Sequence, residues 1–298
     1  MEPLNMGIGG MFAQDFLKAG PVNKDNYVPM EDDIFISAGK DKQRLIFGEP
    51  LEFTPEEKER VDEFDKYLND NNLQVSSNYN FRERFRFFQG CGFNWEETYE
   101  SIVKHEAFCN EILPVKTDDI QEYFENGMVY FYKRDKHFRP ICIINCKKLV
   151  DTEIDDDQLL RVTVAIVQKV MGKFKNSTIL DDGLKDGAVE NWIVIIDCKD
   201  VGVTQVPKQK LKTMVKQLQK NYRGRLYKLY AVNMPFMLRA LWSMLKGMWD
   251  KFTLKKMNIY GTGYEKDILE IVDPNCLEKQ YGGNLENKES NFFPPELD

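Results

Sequence analysis

Only two histidines and six cysteines are available in this 298-residue chain for imidazole or thiol chemistry, and their spacing organises little of it. His105 and Cys109 stand four apart on a predicted helix and could touch one metal ion. With His137 as the sole other histidine, a structural metal is not expected. No G-x-S-x-G elbow and no phosphate-binding G-x-x-x-x-G-K sequence is present. The acidic runs Asp155-Asp156-Asp157 and Asp181-Asp182 read as a helix start and a solvated loop rather than as cation ligands. Gly261-Thr262-Gly263 lies between a predicted strand and a predicted helix, the place of a dinucleotide turn. Lys266 stands where the third glycine would be, which favours a plain tight turn. The cysteines form no C-x-x-C pair and are too sparse for a disulfide scaffold, so reduced thiols are expected. Cys142 and Cys146 read as small apolar fillers of one strand face. The expectation is a protein with no covalent chemistry, metal or cofactor of its own.

Binding chemistry is more visible. Between Val201 and Trp249 there are ten Lys and Arg and no Asp or Glu, although the chain's formal net charge is -7. That span of +10 leaves -17 elsewhere. It contains an unusually apolar segment, Pro235 to Trp249, interrupted only by Arg239 and Lys246 among charged residues. Basic residues near an acidic membrane gain on the order of 1 kcal/mol each, and exposed Trp, Met and Leu add burial in the interface. A solvated basic helix followed by a core helix is the plainer alternative. No run is long and apolar enough to cross a bilayer, and Met1 to Asn5 lacks the basic and apolar regions of a secretory signal. A cytoplasmic protein peripheral to membranes is expected, with no nucleic acid as partner.

Periodicity divides the chain into four. Residues 1–50, rich in Gly, Pro, Asn and Asp, read as an irregular extension. Residues 51–115 read as a helical subdomain. Thr54-Pro55-Glu56-Glu57 opens a helix with an N-cap, a proline at the first position and a capping-box glutamate, and helices follow at 79–89 and 94–108. From residue 116 to 285, apolar runs at 128–132, 141–146, 192–198, 226–232 and 257–260 alternate with helical patterns at 157–173, 207–221, 235–249 and 264–272. That alternation predicts an α/β sheet. Residues 286–298 remain as a tail.

Specific sequences within the third part carry a resemblance. NWIVIIDCKDV at 191–201, Tyr222 to Lys228, KLYAVNMP at 228–235, the apolar helix and KKMNIYGTGYEKDILEIVDPNCLEKQYGG at 255–283 resemble, in order, the CRAL-TRIO lipid-binding family, in its phosphatidylinositol-transfer-protein-like branch. The turn Asp135 to Pro140 resembles it too, and Arg86 and Phe93 occupy the "R…F" positions of the family's helical region. The resemblance implies a mixed five-stranded sheet flooring a hydrophobic cavity behind a small helical subdomain, with an amphipathic gate over the cavity mouth.

It also implies roles. Phe236, Leu241, Trp242, Leu245 and Trp249 would form the gate and meet the membrane. At the phosphatidylinositol headgroup positions stand Arg225, Thr253 and Lys256, with Gly224 where the pattern has a glutamate. Arginine can grip a phosphate bidentately and lysine adds a point charge; solvated surface charges are the alternative. Positions that carry hydroxyls in phosphatidylcholine-exchanging members are Phe131, Cys142, Trp192 and Val194, which would suit acyl chains or a neutral lipid. Two functions follow: transfer of a phosphoinositide or neutral lipid between membrane and cytosol, or a scaffold subunit docked on a membrane protein complex. If the gate assignment holds, replacing Trp242 and Trp249 by Asp should strongly weaken sedimentation with anionic liposomes, since each buried aromatic contributes roughly 1.5–3 kcal/mol. Unchanged sedimentation of the folded double variant would count against the gate.

Overall fold

Five consecutive apolar residues, Trp192 to Ile196, make a strand that suits only the middle of a sheet covered on both faces, and that is where they lie. The protein was analysed as a computed structural model that describes residues 27–48, 51–171, 189–202, 205, 208–237, 239 and 251–297. In chain order the elements begin with α1 (Glu31–Ile34), β1 (Phe35–Ala38) and β2 (Asp41–Arg44). The helices α2 (Pro55–Asp70), α3 (Phe81–Gly90), α4 (Trp95–Ile112) and α5 (Gln121–Phe124) follow. Then come β3 (Val129–Arg134), β4 (Pro140–Asn145), α6 (Cys146–Asp151), α7 (Asp156–Met171), β5 (Trp192–Asp197) and α8 (Lys208–Asn221). The last are β6 (Leu226–Val232), α9 (Lys251–Lys256), β7 (Met257–Ile259) and α10 (Glu265–Ile271).

The sheet has the order β3-β4-β5-β6-β7; β3 and β4 are antiparallel and the remaining pairs parallel. Register lines up Phe131, Cys142, Val194, Leu229 and Met257 in one row across all five strands. The adjacent row, Tyr130, Ile143, Ile195, Tyr230 and Asn258, therefore points to the opposite face. The first face packs against α7 through Leu159, Val162 and Ile166 and against Met214 of α8. The second is covered by Ile268 of α10 and by Leu277, Tyr281 and Phe292.

Helix starts follow the sequence signals. Thr54 accepts from the Glu57 amide while Glu57 bonds back to Thr54, and Asn80 and Asn94 cap α3 and α4. Each such cap is worth about 1 kcal/mol. Asp155 accepts from the Gln158 amide, so the described end of the acidic run 155–157 is a helix cap. Phe64, Phe85, Phe88 and Ile102 form the buried centre of the helical subdomain, and α4 lies against α8 to join it to the sheet.

Two sequence motifs acquire physical reasons. Asn233 has φ +55° and donates to Asp197 Oδ1 at 2.8 Å, turning the chain out of β6 before Pro235. Gly283 runs so close to Leu277 that an added Cβ would stand 1.8 Å from its carbonyl oxygen. The stretch read as irregular is ordered where it is described. Residues 31–44 hold α1 and a β1–β2 hairpin, and Leu45, Ile46 and Phe47 are all buried. Neither strand alternates apolar with polar residues, so periodicity did not reveal them. Cys146 also departs from the reading: β4 ends at Asn145, which caps α6, so Cys146 leaves the face of Cys142 and meets Cys198 with sulfurs 3.8 Å apart.

Ile193, fully buried between the flanking strands, should dominate local stability. Ile193→Ala is expected to lower the unfolding free energy by about 2–5 kcal/mol in urea titration with far-UV dichroism retained. A change below about 1 kcal/mol would contradict the packing described.

Candidate functional site

The four positions expected to line a cavity come together. Phe131, Cys142 and Val194 are direct neighbours in the cross-sheet row, and Trp192, two residues before Val194, shares their face. All four are buried in the cluster facing α7. Trp192 meets Phe131 edge-on at 6.1 Å between ring centres and tilts against Tyr222 at 6.4 Å. Burial pushes the Cys142 thiol up to about 12, which keeps it a neutral apolar group. The face thus offers hydrocarbon contacts rather than hydroxyls.

At the sheet end beside the helical subdomain lies a buried cluster of charge. Arg225 immediately precedes β6; its Nη1 donates to the Glu190 carbonyl at 3.2 Å, and its Nη2 lies 3.7 Å from Glu83 Oε1. Arg86, stacked on the Phe47 ring at the border of the aromatic core, donates from Nη2 to Glu190 Oε2 at 2.6 Å and from Nε to Glu83 Oε1 at 3.2 Å. Burial draws the Arg225 pKa down to about 10, with the neighbouring Arg86 charge acting the same way against Glu83 and Glu190. Burial also opposes the charge of Arg86, but Glu190 and Glu83 outweigh it and move that pKa upward. Glu83 moves the other way: burial raises it, yet Arg86 and Arg225 leave it below the ordinary carboxylate value.

One donor in this cluster is unused. Arg86 Nη1 is buried without a protein hydrogen-bond partner, in a cleft also lined by Glu83, Phe87, His105, Tyr222 and Arg225. Gly224 explains itself here. Its φ is +71°, and a Cβ on it would stand 3.3 Å from Arg86 Nη1 and 3.4 Å from the Phe47 ring. A glutamate in that place would be strained by the positive φ; Glu83 and Glu190 bring carboxylates from elsewhere. Sequence reasoning missed both, and the one available signal was Arg86 in the family's "R…F" pattern.

Thr253 and Lys256 lie on α9, which leads directly into β7, and Lys256 is buried. Because Met257 pairs with Leu229, Lys256 sits level with Lys228, three residues and roughly 10 Å along the strand from Arg225. The two cationic positions therefore share one end of adjacent parallel strands. Of the gate residues, Phe236 is 74% exposed, as is neighbouring Met237 at 67%. Leu241, Trp242, Leu245 and Trp249 lie outside the described residues.

His105 and Cys109 are 3.5 Å apart, but the other ring nitrogen of His105 faces the Tyr79 hydroxyl at 2.6 Å. Among the described residues no group of three or more His, Cys, Asp or Glu could hold a metal. Burial lowers the His105 pKa from 6.5 to about 4. The unfolded chain therefore takes up this proton first, and the stability present above pH 6.5 declines as pH falls toward 4. The loss attributable to His105 should reach about 3 kcal/mol, and His105→Gln should flatten that part of a stability–pH curve. An unchanged slope in the variant would contradict a buried neutral imidazole.

Comparison with known proteins places these features. The CRAL/TRIO domain family model matches residues 124–283, more than half of the chain. The "Sec14 cytosolic factor" of Schizosaccharomyces pombe is 25% identical over 219 residues, covering 67% of this chain and 73% of that protein. The "Phosphatidylinositol/phosphatidylcholine transfer protein SFH9" of Arabidopsis thaliana is 25% identical over 249 residues, and the chain spans 41% of its length. Among solved structures, "Crystal structure of Sfh5" matches with a TM-score of 0.57 at 17% identity, over 83% of this chain and 96% of that one. That likeness is one of fold.

Proposed function

The chain belongs to the CRAL/TRIO domain family, and from that premise we propose that it is a non-catalytic lipid carrier that holds an acyl chain against Phe131, Cys142, Trp192 and Val194 and an anionic headgroup at Arg225. The observation that carries the reading is the unpartnered Nη1 of buried Arg86 beside Arg225, at one end of a sheet face that is otherwise hydrocarbon. A buried guanidinium donor without an acceptor is costly, and a phosphate oxygen would satisfy it by a charge-assisted hydrogen bond. Thr253 and Lys256 serve the same headgroup from α9. Their roughly 10 Å offset from Arg225 suits a phosphorylated polyol better than a lone phosphate ion.

The apolar lining disfavours phosphatidylcholine. Its zwitterionic group would lose hydrogen-bond partners against Phe131, Trp192 and Val194, at roughly 1–3 kcal/mol for each polar group left unpaired. A phosphoinositide, or a neutral lipid held by its hydrocarbon alone, is the favoured cargo. Exposed Phe236 and Met237 open the segment that meets an anionic membrane, with Leu241, Trp242, Leu245 and Trp249 continuing the gate. The name of one relative, a phosphatidylinositol/phosphatidylcholine transfer protein, supports a transfer role.

Organic-solvent extraction of the purified protein followed by mass spectrometry tests the reading. A phosphoinositide or neutral lipid should be recovered at near-stoichiometric amount. Changing Arg225 and Lys256 together to Ala should remove phosphoinositide uptake from vesicles, the charge-assisted bonds being worth roughly 1.5–3 kcal/mol each, while neutral-lipid loading persists. A wild-type protein that is empty and takes up no lipid from vesicles would overturn the carrier reading.

A further inference from the structure

Residues 27–47 run across the molecule as a strap fixed at three places. At the first, Asp33 is buried and accepts from the Tyr27 hydroxyl at 2.7 Å. It also pairs with His137 Nδ1 at 2.6 Å and with Arg139 Nη2. Arg139 is itself held by Asp135 at 3.0 Å and lies 3.5 Å over the Tyr227 ring. At the second, β1 of the hairpin rests on α9, and Asp41 pairs with Lys251 of that helix. At the third, the Phe47 amide donates to Glu190 Oε2 at 2.6 Å and its ring stacks 4.1 Å from the Arg86 guanidinium. Asn191 Nδ2 holds the Leu45 carbonyl at 3.0 Å, and Arg82 holds that of Phe47.

The third anchor draws on the groups that surround Arg225. With Phe47 seated, Glu190 divides its carboxylate oxygen Oε2 between the strap amide and Arg86, and the half-buried Glu83 stands between Arg86 and Arg225. Glu83 and Glu190 then offset the charges of Arg86 and Arg225, and the pull on a phosphate is weaker than the three arginines of the cleft, Arg86, Arg223 and Arg225, would exert alone. The Phe47 ring also lies over Gly224, 3.4 Å from where a Cβ would stand.

We propose that the strap is an autoinhibitory plug, and that a phosphate-bearing headgroup reaches Arg86 and Arg225 only when the 45–47 segment lifts from Glu190. The inference rests on the proposed role of Arg225 as a phosphate-binding residue. Lifting the segment removes the Phe47 ring from Arg86 and the Phe47 amide from Glu190, which uncovers Arg86 beside Arg225 while the Arg86–Glu190 pair stays in place. The first two anchors set how often this happens, since a ligand's apparent affinity falls in proportion to the fraction of molecules in the competent state.

Hydrogen exchange of the full chain, read by mass spectrometry on peptides spanning 40–48, tests the plug in wild-type protein. Phosphatidylcholine vesicles doped with phosphatidylinositol provide the lipid source of the headgroup, and soluble glycerophosphoinositol the free one. Faster exchange at Phe47 with either probe is expected, and the probe that produces it identifies the source. Uptake of phosphatidylinositol is then compared for wild type, Phe47→Ala and Asp33→Asn, each verified as folded by circular dichroism. Asp33 makes no contact with Arg86, Arg225, Glu83 or Glu190 among its hydrogen bonds and ion pairs, so Asp33→Asn loosens the first anchor without touching the arginine cluster itself. Uptake about tenfold faster in both variants is the expected result. Phosphatidylinositol loaded into wild type with Phe47 still protected would overturn the plug and leave the carrier reading standing. So would unchanged uptake by folded Asp33→Asn. Failure of all three proteins to take up any lipid would remove both.

Discussion

The carboxylate of Glu190 is placed where an unpaired charge would cost several kcal/mol, and Arg86 is placed opposite it under the same penalty. Neither tolerates the loss of the other, so the junction between the helical subdomain and the sheet is held to one arrangement. The consequences spread along four parts of the chain. Arg86 fixes α3, Glu190 leads into β5, Arg225 leads into β6, and the Phe47 amide brings in residues before α2. Replacement by matched hydrocarbon could hold these segments as firmly. Charge holds them while leaving a polar opening at the end of an apolar face.

That apolar face depends on register. A one-residue slip between any two strands would send Phe131, Cys142 or Val194 to the side occupied by Ile268 and Tyr281, and Tyr130 or Ile195 toward α7. The turn chemistry at both ends of the strands prevents this. Asp135 accepts from the amides of His137 and Arg139 in the β3–β4 turn, and Asn233 at the end of β6 is tied to Asp197 at the end of β5. Trp192 and Phe131, edge to face at 6.1 Å, then fill that face among the apolar residues of α7.

Much of this was legible in the sequence because the controlling interactions are local or periodic. The five apolar runs became the five strands within a residue or two, and Thr54, Asn94 and Asp155 announced helix starts through groups three residues away. The CRAL-TRIO resemblance added the expectation of one mixed five-stranded sheet and drew attention to Arg86 and Arg225. The hairpin at 35–44 was not legible: FISA and DKQR have no amphipathic pattern, and the segment is anchored at Asp33 by His137 and Arg139, partners distant in sequence. Glu83 and Glu190 were missed for the same reason. A carboxylate on the surface of a helix looks the same in sequence whether it meets water or an arginine from a distant strand.

The sheet's two edges are managed in different ways. β7 is only three residues long, and β3 carries a bulge between Phe131 and Arg134, with Lys133 at φ +58°. Glu296 pairs along that edge: its carbonyl accepts from the Lys133 amide at 2.8 Å, its carboxylate meets Lys133 and Lys288, and Phe292 is buried against Tyr130. Residues 292–296 therefore occupy hydrogen-bonding positions that a strand from another molecule could otherwise use. Stripping them away would do more than shorten the chain: it would leave the Lys133 amide and the β3 edge open to pairing with a strand of another molecule.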